Sequence, residues 1–235
     1  MSLLLVPIVA LAFGVEAALG FGSTVVAVSL GALLVDVCVL LPAFVPLNML
    51  LSASIVLRDR AHVDARMLLR RVLPAMGLGL PVGLLAFASL DSSTLRGVLG
   101  AVVVVLALRE LLGLGRRAGE WARHAALFAG GVVHGALGSG GPLVIWALGD
   151  RTAEPRALRA TLSALWLALN AVLLLGYAWD GRLDATSATW SIWLAGGGLV
   201  GAVIGEVVHR RVDAGRFARA VWLALALVGV LLLVR

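Results

Sequence analysis

The sequence predicts an all-α integral membrane protein made of two inverted repeats, each a broken, re-entrant helical hairpin followed by three transmembrane helices. Three observations predict it. Apolar runs of membrane-spanning length fill the chain, its two halves superpose at a fixed offset, and its arginines are shared unevenly between alternate loops.

Hydrophobic residues make up 61% of the 235-residue chain, and the mean hydropathy is +1.05. Apolar segments lie at 3–35, 37–57, 72–90, 94–114, 124–149, 157–178, 188–208 and 217–234. Crossing about 30 Å of hydrocarbon takes roughly 17–25 residues of helix. No hydrophilic stretch is long enough to form a separate soluble domain. A net charge of +6 would suggest nucleic acid in a soluble protein. Here the arginines sit in short loops between apolar runs, so the charge reports topology and no nucleic-acid partner is expected. The single cysteine, Cys38, lies in an apolar run and excludes a disulfide framework within the chain. The opening MSLLLVPIVALAFG lacks the basic n-region of a secretory signal and is read as part of the mature protein.

Shifting the chain by 118 residues lays Glu16-Ala17-Ala18-Leu19-Gly20-Phe21-Gly22 on His134-Gly135-Ala136-Leu137-Gly138-Ser139-Gly140, with four of seven identical. Gly31, Gly79 and Gly83 then meet Gly149, Gly197 and Gly201, and a small gap brings Asn48 on to Asn170. The repeats are 1–115 and 116–235. Each has a hairpin (3–35; 124–149) and three helices (37–57, 72–90, 94–114; 157–178, 188–208, 217–234).

Arginine fixes the orientation. If each broken segment returns to its own side, loops 58–71, 109–123, 151–159 and 209–219 share one face and carry 5, 4, 3 and 4 arginines. The other face keeps Arg96, Arg182 and Arg235. That bias marks the basic face as cytoplasmic and places both termini outside. Three spans per half then invert the second repeat. Eight plain spans in parallel repeats are the alternative.

The breaks are where function is expected. Glycine costs about 1 kcal/mol and proline about 3 kcal/mol in a helix interior, so Gly20-Phe21-Gly22-Ser23-Thr24 and Gly138-Ser139-Gly140-Gly141-Pro142 must serve a purpose. A helix that resumes at membrane depth leaves N–H groups without intrahelical partners and about half a positive charge at its end. Lipid satisfies neither, but an anion does. No lysine occurs in the chain, so two such N-termini form an anion site without one. Asn48 and Asn170, polar residues inside apolar spans, are candidate anion donors, with Thr161 a weaker one. Glu16 and His134 share a repeat position one turn before each break and are candidates for a coupling proton. Gly79-x3-Gly83 and Gly197-x3-Gly201-x3-Gly205 read as helix-packing motifs.

These residues resemble the sulfite exporter TauE/SafE family, also called the toluenesulfonate uptake permease family. Its duplicated glycine-rich break is matched by Gly20-x-Gly22 and by Gly138-x-Gly140-Gly141-Pro142. The stretch Arg156–Tyr177 is similar to the family segment that follows the second break. The resemblance covers essentially the whole chain, though Ser23-Thr24 stands where a further glycine or proline is common. It implies a secondary transporter in the inner membrane that moves a small anion such as sulfite or an organosulfonate. No cofactor and no metal are expected; a second copy of the chain is a candidate partner.

Rival readings are weaker. Gly138-Ser139-Gly140 lacks the earlier glycine of the G-x-S-G serine motif, with Leu137 in its place, and no histidine follows within a later span to act as base, so an intramembrane protease is not favoured. Without lysine there is no Walker loop. The separated His62 and His124 read as solvated loop residues. An anion channel or a non-transporting membrane subunit stays open, but a channel needs a continuous polar lining, whereas these polar residues cluster at two breaks.

Overall fold

The computed structural model describes residues 3–113, 119–148, 154–209 and 214–234. They are helical, with no strand among the described residues. Ten helices follow in order. The first half holds α1 (Leu5–Leu19), α2 (Ser23–Gly31), α3 (Val37–Asp59), α4 (Ala65–Ser89) and α5 (Ser92–Leu111). The second holds α6 (Glu120–Leu137), α7 (Gly141–Leu148), α8 (Pro155–Trp179), α9 (Ala185–His209) and α10 (Ala214–Val234).

Local chemistry sets the ends. Asp36 accepts the Cys38 N–H at 2.8 Å to start α3, and Asp91 accepts those of Ser93 and Thr94 at 3.0 and 3.2 Å to start α5. Asp184 and Ser187 exchange backbone bonds ahead of α9 in a capping box, at 2.7 and 3.0 Å. Pro155, with φ already helical and no N–H to lose, opens α8. Asp64 accepts the Met67 N–H at 2.9 Å, so α4 begins at Ala65, inside a stretch that reads as loop from hydropathy. The apolar run 72–90 marked only the part of that helix suited to hydrocarbon.

Among the described residues, four helical stretches are long and apolar enough to cross a membrane: Val37–His62, Ala65–Ser89, Arg156–Trp179 and Ala185–Val207. The first and third are the more buried, at 61% and 56% of their most apolar windows against 33% and 28%. Thus α3 and α8 form the centre, while α4 and α9 turn Leu78, Leu85, Leu199 and Val203 outward.

The halves exchange partners. α1 packs along α9, and α6 packs along α4, while α3 pairs with α8 and α5 with α10. The glycine motifs make the first two contacts. A side chain on Gly197 would meet the Val6 carbonyl, and one on Gly201 would stand 2.6 Å from the Ala10 carbonyl carbon. A side chain on Gly79 would stand 2.9 Å from the Val132 nitrogen, and one on Gly135 2.9 Å from that of Leu84. Backbones this close admit no Cβ. α3 and α8 run antiparallel, crossing at Asn48 and Asn170, with Asp59 at the end where Arg156 and Arg159 begin α8.

The short helices fold back on the helices before them. Leu5 Cδ2, at the start of α1, lies 3.4 Å from where a side chain on Gly31 would begin, at the end of α2. Arg123, near the start of α6, donates to the carbonyls of Ala147 and Leu148 at the end of α7, at 3.2 and 3.3 Å.

Candidate functional site

Both breaks are built alike. α1 ends when Gly20 enters the left-handed region at φ 83°, its N–H donating to the Glu16 carbonyl at 2.6 Å. α6 ends when Gly138 does the same at φ 65°, donating to the His134 carbonyl at 2.7 Å. Glycine takes this conformation without the strain of a Cβ. Gly20 and Gly138 therefore spend their amides on helix caps. Donors for a ligand come from further on. The first hydrogen bond of α2 runs from Val26 N–H to Gly22 at 3.0 Å, and that of α7 from Val144 to Gly140 at 3.3 Å, so earlier N–H groups have no partner in their own helix.

The breaks face one another. A side chain on Gly138 would stand 2.9 Å from Thr24 Cγ2, and one on Gly141 would stand 3.3 Å from the Phe21 side chain. Between them is a small cavity of about 20 Å³. Gly22 and Thr24 line it from one half, and Ser139, Gly140 and Gly141 from the other. Val25, Gly138, Glu16, Asn48, His134 and Trp166 complete its wall.

A buried hydrogen-bond chain crosses from one half to the other beside this cavity. The Ser23 hydroxyl donates to the Glu16 carboxylate, and so does Asn48 Nδ2, at 2.7 Å. Asn170 Nδ2 donates to Asn48 Oδ1 at 2.6 Å, and His134 Nε2 lies 3.1 Å from Asn170 Oδ1. Since that oxygen only accepts, Nε2 carries the proton. His134 Nδ1 is buried with no hydrogen-bond partner among the described residues. Glu16, Asn48, His134 and Asn170 are each at most 3% exposed.

Most residues expected to matter thus converge on the cavity or on the layer behind it. Three placements differ. Gly20 lies against Arg159, off the cavity wall. The Thr161 hydroxyl is turned away and accepts the Asp64 N–H at 2.8 Å, tying α8 to the turn before α4. Pro142 is buried in the first turn of α7, off the cavity wall. The pairing of Asn48 with Asn170 by a gap is also corrected. Ser52 donates to Glu16 at 3.4 Å as Asn170 bonds His134, and Asn48 donates to Glu16 where Trp166 stacks on His134, ring centroids 5.4 Å apart. Ser52 with Asn170, and Asn48 with Trp166, are the ungapped pairs at offset 118. Trp166 also donates to the Gly20 carbonyl at 3.2 Å; the sequence does not mark it, because an apolar residue stands where an amide is expected.

A multi-pass helical membrane protein with opposed helix breaks around a buried polar cavity has the build of a membrane transporter. Residues 5–232 match the family described as Sulfite exporter TauE/SafE, and the chain belongs to that family. Neither the curated proteins nor the solved structures contain a match. Family membership makes the protein a membrane transporter.

Proposed function

We propose that the protein is a secondary transporter that carries a small sulfur oxyanion, sulfite or a related organosulfonate, together with a proton across the inner membrane. The anion binds between Gly22–Thr24 and Ser139–Gly141, where two helix N-termini supply N–H groups and Thr24 and Ser139 supply hydroxyls. The observation that carries this reading is that both N-termini meet at one buried cavity whose ionisable wall groups, Glu16 and His134, belong to a single hydrogen-bond chain. With Glu16 ionised, a bound anion meets a second negative charge in a poorly screened site. A proton on Glu16 removes that repulsion, so anion and proton travel together. At about 20 Å³ the cavity is far below the 300–1,000 Å³ typical of drug-sized ligands and has room for about one water; the breaks must part slightly to admit an anion, which favours an inorganic oxyanion or the smallest sulfonates.

The two halves are inverted repeats of about 118 residues with re-entrant hairpins α1–α2 and α6–α7. The antiparallel crossing of α3 with α8, the exchange of α1–α9 against α6–α4, and the return of α2 and α7 along their hairpin partners support this. Six helices span, both termini lie outside, and one part rocks against the other around the cavity. Flux into proteoliposomes tests the function, comparing sulfite, sulfate and a small organosulfonate with and without a pH gradient. Saturable flux of a sulfur anion, driven by an inward proton gradient, is expected; inserted protein that moves none of the three removes the proposal.

A further inference from the structure

The glycines that end α1 and α6 are covered by residues of opposite chemistry at the same repeat position. A side chain on Gly20 would stand 2.9 Å from Arg159 Cα, and one on Gly138 would stand 3.2 Å from Leu41 Cδ2. Leu41 and Arg159 are separated by 118 residues, as the glycines are. At the first break lies the stem of an arginine; at the second, a leucine.

Arg159 is 6% exposed and ties four helices together on the basic face. Its Nη2 meets Asp59 of α3 at 3.0 Å. Its Nη1 meets Glu206 of α9 and the Ala17 carbonyl of α1, both at 3.0 Å. Asp59, 4% exposed, is held as well by Arg156 at 2.6 Å. The positions 118 residues from Asp59 and Glu206 carry Tyr177 and Ala88, so the other break has no such ion pairs at these positions. Tyr177 is buried and packs on Phe87, with ring centroids 5.2 Å apart.

Leu41 shows that this position can be filled without charge. A buried ion pair is no stronger a clamp than well-packed apolar residues, because desolvation offsets its attraction. Charge here calls for a further reason. Two carboxylates hold the Arg159 guanidinium, one oxygen on each terminal nitrogen, at donors that the oxygens of a transported anion could also take. The Arg159 Nε is buried and has no hydrogen-bond partner among the described residues, so a donor is left for an additional ligand. Ala17, which the guanidinium touches, directly follows Glu16 of the central cavity.

We propose that Arg159 is a second anion-binding position, on the basic-face side of the central cavity, where the transported oxyanion exchanges with the carboxylates of Asp59 and Glu206. It rests on the anion-transport reading above. When the position is empty the two carboxylates occupy the guanidinium and close the route; an arriving anion displaces them. The opposite route is closed by the apolar Leu41 and offers no such stop.

Sided sulfite flux in oriented proteoliposomes tests this. Arg159→Leu, which copies the other half, raises KM for sulfite presented at the basic face about tenfold, the loss of one charge-assisted contact, and leaves KM at the opposite face unchanged. Arg159→Lys recovers part of that loss. Glu206→Gln removes a competing carboxylate and lowers KM at the basic face alone, and this variant decides the matter if Arg159→Leu fails to fold. Equal KM shifts at both faces, or unchanged KM in Glu206→Gln, overturn the proposal and leave Arg159 a structural tie. Absence of flux in the unaltered protein overturns instead the transport reading on which it rests.

Discussion

Replacing Glu16 with glutamine isolates the charge that couples anion to proton. Glu16 is buried on the cavity wall, so a bound anion lies within a few ångströms of its carboxylate. Two negative charges about 4 Å apart repel by about 4 kcal/mol at an effective dielectric constant of about 20. At about 1.4 kcal/mol per tenfold, ionised Glu16 weakens anion binding by nearly three orders of magnitude. The helix N-termini attract the anion in either protonation state and so do not change this difference. Flux in the unaltered protein therefore falls as pH rises through the titration of Glu16. Glu16→Gln keeps the shape and an oxygen to accept from Ser23 and Asn48, and it is permanently neutral. The assay is the initial rate of uptake at equal pH on both sides, from mildly acidic to mildly alkaline. A small organosulfonate is the substrate because its own charge stays fixed, with sulfite in parallel. The variant is expected to show a flat profile and to lose acceleration by a proton gradient. A variant that keeps the original slope refutes the reasoning; the slope then belongs to His134, at the far end of the same chain.

Three further outcomes follow from the geometry. Gly22 holds φ 100°, with Val15 Cγ1 the nearest atom to an added Cβ at 3.4 Å. Gly22→Ala therefore brings backbone strain of about 1–2 kcal/mol with little steric conflict, and cuts flux while the amount of inserted protein holds. Gly201→Ala drives a methyl group into the backbone of Ala10; overpacking of this kind costs about 1–3 kcal/mol or more, read as a lower melting temperature in detergent. Asp91→Ala removes the cap of α5, so stability falls and transport persists. Hydroxyl bonds from Ser93 and Thr94 hold the Asp91 carboxyl well below the usual carboxylate range. A lowered native value contributes stability that is present above the unfolded-state value and lost only as pH falls through the native one. The gap in melting temperature between Asp91→Ala and the unaltered protein is thus constant from neutral to mildly acidic pH.

What was legible in the sequence was whatever repeats or punctuates. The breaks are visible because glycine and proline are out of place in a spanning helix, and Glu16 and His134 stand out because ionisable groups are expensive there. The packing glycines show in their four-residue spacing. Other features needed coordinates. Trp166 takes the place of Asn48 by stacking on a histidine instead of bonding a carboxylate, a substitution of interaction type that no residue-by-residue comparison reveals. Thr161 looked like a site residue because its hydroxyl lies in an apolar segment, yet the unpaired N–H of Asp64, distant in sequence, claims it. Arg159 reads as a loop charge, since hydropathy does not register that Asp59 and Glu206 from two other helices close over it.

The central claim is that the anion binds between the two breaks. Equilibrium binding of radiolabelled sulfite to purified protein tests it most directly, comparing the unaltered chain with Ser139→Leu, which replaces a cavity hydroxyl by apolar bulk. The account predicts saturable binding at the central cavity, and this component is lost in Ser139→Leu, leaving only the binding held by Arg159, while the variant keeps its helical content and elutes as the unaltered protein does. Undiminished binding in folded Ser139→Leu would contradict it and place the anion elsewhere in the molecule.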